Sequence, residues 1–325
     1  MRYTYEKGLV SLVTPGWNGV HFVHRLLDSI LEQTYRPLQY IYVDDGSTDG
    51  SSDLVLGYKD RFLKAGIDFT FIRQENRGLC GALMTGFQYV KGEFLSNPEY
   101  DDFLFPASVE KRVAFLNRHP DCAVVVADAW VTNENGTEDR NRLVSQRNPN
   151  RFDRNHFYQC LMSNTIFNAA CYMVRMDCFD KTHKDRKLIP YPYGSNQQIL
   201  LPLYYHWNRG FIDEPLSVRV SRRDGLSTKT HSFSIEVERD LAYRDLLFSI
   251  LDSIEMPEED RSLYKHRVEI NVQKDFRTFG LKYNNKDFAD KASRYLEANG
   301  ELMASPSRPS CKDLIIKRIK SLLSK

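Results

Sequence analysis

The sequence predicts an α/β fold in which a Rossmann-like, mostly parallel sheet is flanked by helices and followed by a C-terminal α-helical extension. Through the first two thirds of the chain, short apolar runs typical of strands alternate with amphipathic segments of helical period. Several of these runs stop at turns rich in Asp, Asn and Gly, the pattern expected where parallel strands end at a ligand site. Beyond residue 230, long helical segments replace the alternation.

Each element of the alternating part is assigned from its hydrophobic period and from the Gly, Pro and Asn residues that bound it. The predicted elements are strands at 8–15, 41–43, 69–73, 122–128, 167–174 and 210–216, helices at 25–31, 52–65, 82–90, 108–117 and 199–205, and a polar connection at 133–150. Because strands and helices alternate at this spacing, consecutive strands are expected to be parallel, with helices on both faces of the sheet.

We expect one large core and a smaller one, since the chain has 325 residues of which 42% are apolar. The predicted divisions are an α/β domain at 1–230 with halves at 1–128 and 129–230, a helical extension at 231–304 with helices at 233–253, 258–276 and 285–298, and a linker with a basic amphipathic helix at 305–325.

Charge and cysteine content exclude several classes of protein. The net charge of +2 is small for this length, so nothing in the overall balance indicates nucleic acid as a partner. The six cysteines form no CxxC pair and residues 1–7 lack the apolar core of a signal peptide, which predicts reduced thiols and a cytoplasmic protein. No apolar run approaches the roughly 20 residues needed to span a bilayer.

Residues 41–50, IYVDDGSTDG, form the most informative segment of the chain. An apolar run stops there at the adjacent carboxylates Asp44 and Asp45, and a Gly/Ser/Thr turn follows. In open α/β sheets the ligand crevice lies beyond the carboxyl ends of the strands, so both acids are candidate ligand contacts. The alternative interpretation is a solvated turn, in which Asp, Gly and Ser are ordinary residues.

Three segments together resemble the family 2 glycosyltransferases: VSLVTPGWN at 10–18, LEQTY at 31–35 and VDDGSTD at 43–49. The resemblance covers about residues 8–220 and implies the nucleotide-sugar-binding GT-A fold and an inverting transfer reaction. The nucleotide-binding residues that it implies are Thr14, Pro15, Asp44, Asp45, Asn76, Gly78, Glu99 and Tyr100.

The segment 92–102 follows the family pattern G-E-Y-x-x-x-x-D-x-D-D, with Glu99 in place of the first Asp of the D-x-D metal signature. The resemblance implies a divalent cation, Mn²⁺ or Mg²⁺, held by Asp101 and Glu99 and bridging to the donor diphosphate, with His231 as a third ligand. The longer Glu side chain suits Mn²⁺ better than Mg²⁺, which tolerates misplaced ligands poorly. The alternative is an acidic surface loop.

The segment before the predicted helix 199–205 carries Ser195 and Asn196 where many family members have an acidic pair whose Asp deprotonates the acceptor. A side-chain amide is too weakly basic to act as a general base. The stretch nevertheless resembles a bacterial capsular and cell-wall polysaccharide subgroup with G-Q-N-x-Q before L-L-P, which places Asn196 at the acceptor site. The base is unassigned; Asp128 and Asp213, both at predicted strand ends, are candidates that also fit structural roles.

Two basic features have two interpretations each. The residues beside the last strand either meet the diphosphate as a lid or form a solvated loop; they are Arg219, Arg222, Arg223 and Lys229. In the segment 312–325, apolar residues share one helical face and Lys and Arg cover the rest. This pattern predicts either peripheral contact with an anionic membrane at its inner face or a helix docked on the protein's own surface.

The sequence therefore predicts an inverting glycosyltransferase. It would move a sugar from a UDP-linked donor to a hydroxyl of a bacterial surface polysaccharide or lipid-linked glycan precursor. The departures at Glu99 and Asn196 leave open a protein that binds sugar nucleotide or glycan without turnover. A dinucleotide dehydrogenase is excluded, since no G-x-G-x-x-G follows the first strand.

Overall fold

The computed structural model describes residues 3–134, 142–146, 148–165, 168–192, 194–222 and 232–301. The strands in this part of the chain are β1 (Glu6–Gly16), β2 (Leu38–Asp44), β3 (Ile67–Arg73), β4 (Gly92–Ser96), β5 (Phe103–Leu104), β6 (Cys122–Asn133), β7 (Tyr172–Arg175) and β8 (Asn208–Ser221). The helices of the α/β region are α1 (Val23–Leu31), α2 (Ser51–Gly57), α3 (Lys59–Lys64), α4 (Gly78–Phe87), α5 (Ser108–Arg118), α6 (Phe157–Leu161), α7 (Met176–Thr182) and α8 (Ser195–His206). The remaining helices are α9 (Phe233–Ser253), α10 (Glu258–Lys282) and α11 (Lys286–Ala298).

The eight strands form one sheet in the order β3-β2-β1-β4-β7-β6-β8-β5. The first four strands of the chain are mutually parallel, and β6 runs parallel to β8. Strand β7 is antiparallel to both its neighbours, and the short β5 is antiparallel to β8. The predicted fold class, a mostly parallel sheet flanked by helices and followed by a helical region, is confirmed.

Hydrophobic period explains why these segments pack as they do. All seven residues of β2 are buried, as expected for a central parallel strand covered on both faces. Helix α1 buries Val23, Leu26, Leu27 and Ile30, whose three- and four-residue spacing places them on one face. They join a core with residues of β1 and β2. Burying each such side chain stabilises the fold by about 1.5–3 kcal/mol.

Several boundaries differ from those predicted. The helix expected at 52–65 is two helices that meet at Tyr58. Strands β6 and β8 run on beyond Asp128 and Asp213, so the prediction that these acids stand at strand ends is wrong. The reason is that main-chain pairing continues from Ala129 opposite Ser217 to the last residues of both strands. Strands β4 and β5 and helices α6 and α7 were not predicted.

The described residues form two compact units. The first contains 3–222 together with 242–265, and the second contains 232–241 together with 266–301. The second unit has its own small core around Phe276 and Ala292 and an ion pair between Lys282 and Glu236.

The predicted divisions at 230 and 304 remain predictions, and residues 305–325 lie outside the described part. Among the residues that the structure describes, no helix is both long and apolar enough to cross a bilayer.

Candidate functional site

The carboxyl ends of four parallel strands meet at one edge of the sheet. Gly16, Asp44 and Arg73 close β1, β2 and β3 in matched register, and β4 ends at Ser96, which is opposite Leu12 of β1. The ends of these strands and the segments that follow them carry the residues predicted to bind nucleotide. Their convergence follows from parallel pairing, because every such strand delivers its polar loop to the same edge.

Asp44 organises the turn that follows β2. Its side chain is fully buried, and one carboxylate oxygen, Oδ1, accepts a hydrogen bond of 3.1 Å from the Ser47 amide. The other, Oδ2, accepts a 2.6 Å bond from the Ser52 hydroxyl and lies 3.4 Å from Arg73 Nε. These contacts hold the turn in one conformation, so Asp44 has a structural role at this edge.

Asp45 joins the loops of three strands. Its amide donates to the Gly16 carbonyl at 2.8 Å, and its Oδ1 accepts from Gln74 Nε2 at 2.7 Å and from the Arg77 amide at 2.9 Å. Loops after β1, β2 and β3 are thereby fixed to one another. The predicted pair Asp44 and Asp45 thus fixes these loops at the edge of the sheet where a ligand crevice is expected.

The third loop approaches this turn closely. Gly46 has a φ of +80°, and an added Cβ would lie 3.1 Å from the Asn76 amide nitrogen and 3.3 Å from the Gln74 carbonyl oxygen. The Asn76 side chain accepts a hydrogen bond of 3.2 Å from the amide of Gly78, the first residue of α4. Asn76 and Gly78 therefore start a helix at the same edge as Asp45, as predicted from the sequence.

Thr14 ties β1 to the acidic loop after β4. Its hydroxyl donates to the Pro98 carbonyl at 3.1 Å, and the next residue, Pro15, is buried opposite Val43. Glu99 follows Pro98 directly, so the acidic loop begins at the same edge of the sheet as the Asp45 turn.

Three carboxylates of that loop form a cluster. Oxygens of Glu99, Asp101 and Asp102 all lie within 4.8 Å of one another, the first two partly buried and Asp102 fully buried. Asp102 accepts hydrogen bonds from the Val220 amide at 2.9 Å and from Asn168 Nδ2 at 3.3 Å. Sequence reasoning missed Asp102 as a member, although its position beside Asp101 was a sufficient signal.

The electrostatics of the cluster favour a cation. Burial, and then the neighbouring charge of Asp101, raises the pKa of Glu99 to about 7. Burial also raises the pKa of Asp101, opposed by Arg222, and raises that of Asp102 well above its ordinary value with help from Glu99 and Asp101. Crowded carboxylates of this kind are hard oxygen ligands, so the donor set fits Mn²⁺ or Mg²⁺.

Arg222 forms an ion pair with one carboxylate of the cluster. Its Nη1 lies 3.3 Å from Asp101 Oδ2 and donates a 2.6 Å hydrogen bond to the Tyr100 hydroxyl. The guanidinium carbon sits 4.9 Å from the ring centroid of Phe22 and 5.7 Å from that of Tyr100. The charge of Arg219 also acts on Glu99. Of the other predicted basic residues, Arg223 and Lys229 lie outside the described residues, as does the predicted metal ligand His231.

Asn196 is held beside the acidic loop. It lies in the first turn of α8, and its Oδ1 accepts a 2.8 Å hydrogen bond from the Tyr172 hydroxyl. Tyr172 is tied to the end of β4, where its carbonyl oxygen accepts a 2.7 Å hydrogen bond from the Ser96 hydroxyl. Burial raises the pKa of Tyr172, and the charge of nearby Glu99 adds to the effect.

The two predicted base candidates are engaged elsewhere. Asp128 Oδ1 accepts from the amides of Ala129 and Ser145, and its Oδ2 accepts from the Ser145 hydroxyl. Asp213 pairs with Arg151 through two contacts of 3.1 and 3.3 Å. Within the described residues, no hydrogen bond or ion pair links either carboxylate to the acidic cluster.

Known proteins share parts of this sequence. Residues 11–182, more than half of the chain, match the model of the family described as Glycosyl transferase family 2. An uncharacterised glycosyltransferase of Rickettsia typhi is 33% identical over 126 residues, which are 39% of this chain and 37% of the relative. Glycosyltransferase GlyA of Streptococcus pneumoniae is 31% identical over 101 residues, 31% of this chain and 14% of the relative. The matches therefore span well under half of these relatives.

Solved structures share the fold. The structure of S. aureus TarS 1-349 in complex with UDP-GlcNAc has a TM-score of 0.63 and 15% identity, and covers 87% of this chain and 79% of its own. The mannosyltransferase PcManGT from Pyrobaculum calidifontis, in complex with GDP-Man and Mn²⁺, has a TM-score of 0.58 and 15% identity over 97% and 80% of the two chains. At such identity the likeness shows the fold alone. The match to the family model over residues 11–182 establishes that this chain belongs to glycosyltransferase family 2.

Proposed function

We propose that this protein transfers a sugar from a UDP-linked donor to a hydroxyl group, with inversion at the anomeric carbon. The observation that carries the proposal is the hydrogen bond from Thr14 of β1 to Pro98, which fixes the acidic loop to β1. The last residue of the same strand, Gly16, accepts a hydrogen bond from the Asp45 amide, so β1 holds both the acidic loop and the Asp45 turn. A nucleoside diphosphate sugar needs both features, since its nucleoside requires polar walls and its diphosphate a concentrated positive charge. The complexes of TarS with UDP and UDP-GlcNAc support a UDP-linked donor.

The acidic cluster is the proposed metal site. Glu99, Asp101 and Asp102 would hold a divalent cation, Mn²⁺ or Mg²⁺, which when bound stabilises negative charge on a departing diphosphate. The Mn²⁺ in the PcManGT complex supports this assignment. Arg222 adds a second positive charge at the same place, in agreement with the proposed contact of the basic residues after β8 with the diphosphate.

The acceptor side is proposed to be formed by the first turn of α8. Asn196 orients the acceptor there and takes no proton, because a neutral amide is not basic. Inversion needs one in-line displacement, in which the acceptor oxygen bonds to the anomeric carbon as the bond to the diphosphate breaks. Asp128 and Asp213 are bound to other groups, so the proton acceptor is left unassigned.

We place the acceptor among bacterial surface polysaccharides or lipid-linked glycan precursors and the protein in the cytoplasm, peripheral on the inner face of the membrane. Support comes from the basic amphipathic pattern of 312–325 and from the five described cysteines, all free thiols. The full chain should sediment with anionic liposomes at low salt, and deletion from Lys312 onward should release it. Equal binding by the truncated chain would contradict a role of residues 312–325 in membrane contact and would favour the helix docked on the protein's own surface.

A second candidate is a protein that binds sugar nucleotide or glycan without turnover. The amide at position 196, together with the engagement of Asp128 and Asp213, favours it. Release of UDP from UDP-GlcNAc, measured with Mn²⁺ and again after chelation, separates the two functions. Metal-dependent release that Asp101→Asn abolishes supports the transferase; UDP binding without release supports the binding protein.

A further inference from the structure

Tyr172 joins the donor side of the site to the acceptor side. It opens β7, its ring is buried, and its hydroxyl donates a hydrogen bond to Asn196 in the first turn of α8. The main-chain carbonyl oxygen of Tyr172 accepts a 2.7 Å hydrogen bond from the hydroxyl of Ser96, the last residue of β4 before the acidic loop. Burial raises the pKa of the Tyr172 hydroxyl, and the charge of Glu99 in that loop raises it further.

The hydrogen bond between Tyr172 and Asn196 has a defined direction. The Tyr172 hydroxyl carries one proton, and it donates that proton to Oδ1 of Asn196 at 2.8 Å. The ring of Tyr172 is only 1% exposed, so the hydroxyl is held in a fixed place beside Asn196.

The direction of this hydrogen bond determines which atoms of the Asn196 side chain remain available to bind a substrate. Its carbonyl oxygen is occupied by Tyr172, and its Nδ2 makes no hydrogen bond within the described residues. The side chain is only partly buried, so this nitrogen is accessible. A carboxylate at the same position would accept hydrogen bonds only, whereas this amide presents two N–H donors.

We propose that Tyr172 is a positioning residue that turns the Asn196 amide so that its Nδ2 hydrogens face the acceptor. The substrate group recognised is an oxygen that accepts a hydrogen bond, either a hydroxyl or an acidic oxygen. Position 196 binds and orients this oxygen and plays no part in proton removal. The proposal rests on the proposed glycosyl transfer. It adds that the acceptor side of the site presents hydrogen-bond donors to the substrate.

A double-mutant cycle tests whether Tyr172 acts on turnover through Asn196. The reaction measured is release of UDP from UDP-GlcNAc in the presence of Mn²⁺, with water as the acceptor. Tyr172→Phe should lower turnover about fivefold, the loss expected for one hydrogen bond of roughly 1 kcal/mol. Asn196→Ala should lower it by at least as much, and adding Tyr172→Phe to Asn196→Ala should cost nothing further. Equal losses in both backgrounds, or no loss in either single variant, would overturn the proposal.

Asn196→Asp separates orientation from base catalysis. It keeps the shape of the side chain and the bond from Tyr172 but removes the N–H donors, so turnover should fall. A gain in turnover would show that a proton acceptor is what the position requires, and would overturn the proposal. Tyr35→Phe is the matched control, because the Tyr35 hydroxyl donates a 2.6 Å bond to the Gly8 carbonyl away from the site.

A readout without turnover keeps this test apart from that of the proposed function. The side-chain amide signals of Asn196 in a ¹⁵N spectrum are identified by their loss in Asn196→Asp. Tyr172→Phe should shift them and Tyr35→Phe should not. Unshifted signals in Tyr172→Phe would overturn the positioning role. If the wild type releases no UDP from UDP-GlcNAc, the proposed function fails with this donor while the spectrum still decides the positioning role.

Discussion

Arg222 and Asp101 form an ion pair inside the candidate site, with Nη1 of Arg222 3.3 Å from Oδ2 of Asp101. Both side chains are largely shielded, at 15% and 17% exposure, so solvent screens the pair weakly. The guanidinium is also fixed by the Tyr100 hydroxyl and the Phe22 ring. The acidic cluster is therefore partly neutralised by the protein's own cation.

We predict that Arg222→Gln strengthens Mn²⁺ binding when no nucleotide is present. The substitution removes a positive charge that competes for Asp101, and a gain of about tenfold corresponds to roughly 1.4 kcal/mol. Calorimetric titration with MnCl₂ measures it. Arg151→Gln, which breaks a comparable Arg–Asp pair with Asp213, should leave Mn²⁺ affinity unchanged. Weaker Mn²⁺ binding by Arg222→Gln would mean that the arginine organises the cluster instead.

Asp101→Asn should abolish UDP release from UDP-GlcNAc while leaving the melting temperature within a few degrees of the wild type. The carboxylate is a cluster member on a loop and no part of the hydrophobic core, so its loss removes a cation ligand at little structural cost. Asp213→Asn is the control, since that acid is paired outside the cluster. Wild-type turnover by Asp101→Asn, with the same metal requirement, would refute the assignment.

Two substitutions of Glu99, one conservative and one not, test its place in the metal site. Glu99→Asp restores the common family residue and should retain turnover, whereas Glu99→Ala should lower it. Both are read as UDP release at fixed Mn²⁺. Indifference to both substitutions would remove Glu99 from the metal site.

Gly46→Ala should destabilise the protein and weaken UDP binding together. A residue with a Cβ is strained at a φ of +80°, and the new methyl would press against the Asn76 amide, at a cost of about 1–3 kcal/mol. Gly57→Ala is the opposite control: its Cβ meets nothing within 4 Å, so it should stabilise by about 0.4–1 kcal/mol. Denaturant unfolding and UDP calorimetry measure both effects. Equal stability of the two variants would contradict the close approach of these loops.

Acid should destabilise the fold through His156. Burial, and then the charge of Arg209, lowers the pKa of this buried histidine from 6.5 to about 3. The folded state therefore favours neutral imidazole, so the stabilisation is complete above pH 6.5 and declines as the pH falls below it. The slope approaches about 1.4 kcal/mol per pH unit for one such group.

His156→Gln should reduce this slope in urea unfolding measured from pH 7 to pH 5. Part of the slope should remain, because burial also lowers the pKa of His183. His24→Gln, which removes an exposed histidine, serves as the control. An unaltered slope in His156→Gln would show that this histidine is protonated without cost in the folded state.

The local sequence predicted those parts of the fold that depend on the local sequence alone. The alternation of strands and helices and the placement of Asp45 and Asn76 at one edge follow from hydrophobic period and parallel pairing. The lengths of β6 and β8 could not be predicted in this way. Both strands continue because their main chains pair with each other, and main-chain hydrogen bonds leave no pattern in the sequence. Asp128 and Asp213, which were expected at the ends of these strands, therefore lie within them.

The site was predictable only where its residues are close in sequence. Glu99 and Asp101 were found as a motif, but Asp102 is held by Val220 and Asn168, which are distant along the chain. The contact of Arg222 with Asp101 and that of Tyr172 with Asn196 likewise depend on tertiary packing. Asp44, predicted as a ligand contact, has its oxygens engaged by Ser47 and Ser52, so its loss should lower stability as well as UDP affinity.

The central claim is that the acidic cluster and the Asp45 turn bind a nucleoside diphosphate through a divalent cation. Calorimetric titration of UDP into the full-length protein, once with Mn²⁺ and once with chelator, tests it most directly. We predict that Mn²⁺ strengthens UDP binding at least tenfold, about 1.4 kcal/mol, and that Asp101→Asn removes this gain. Equal UDP affinity with and without Mn²⁺, or an undiminished gain in Asp101→Asn, would contradict the account.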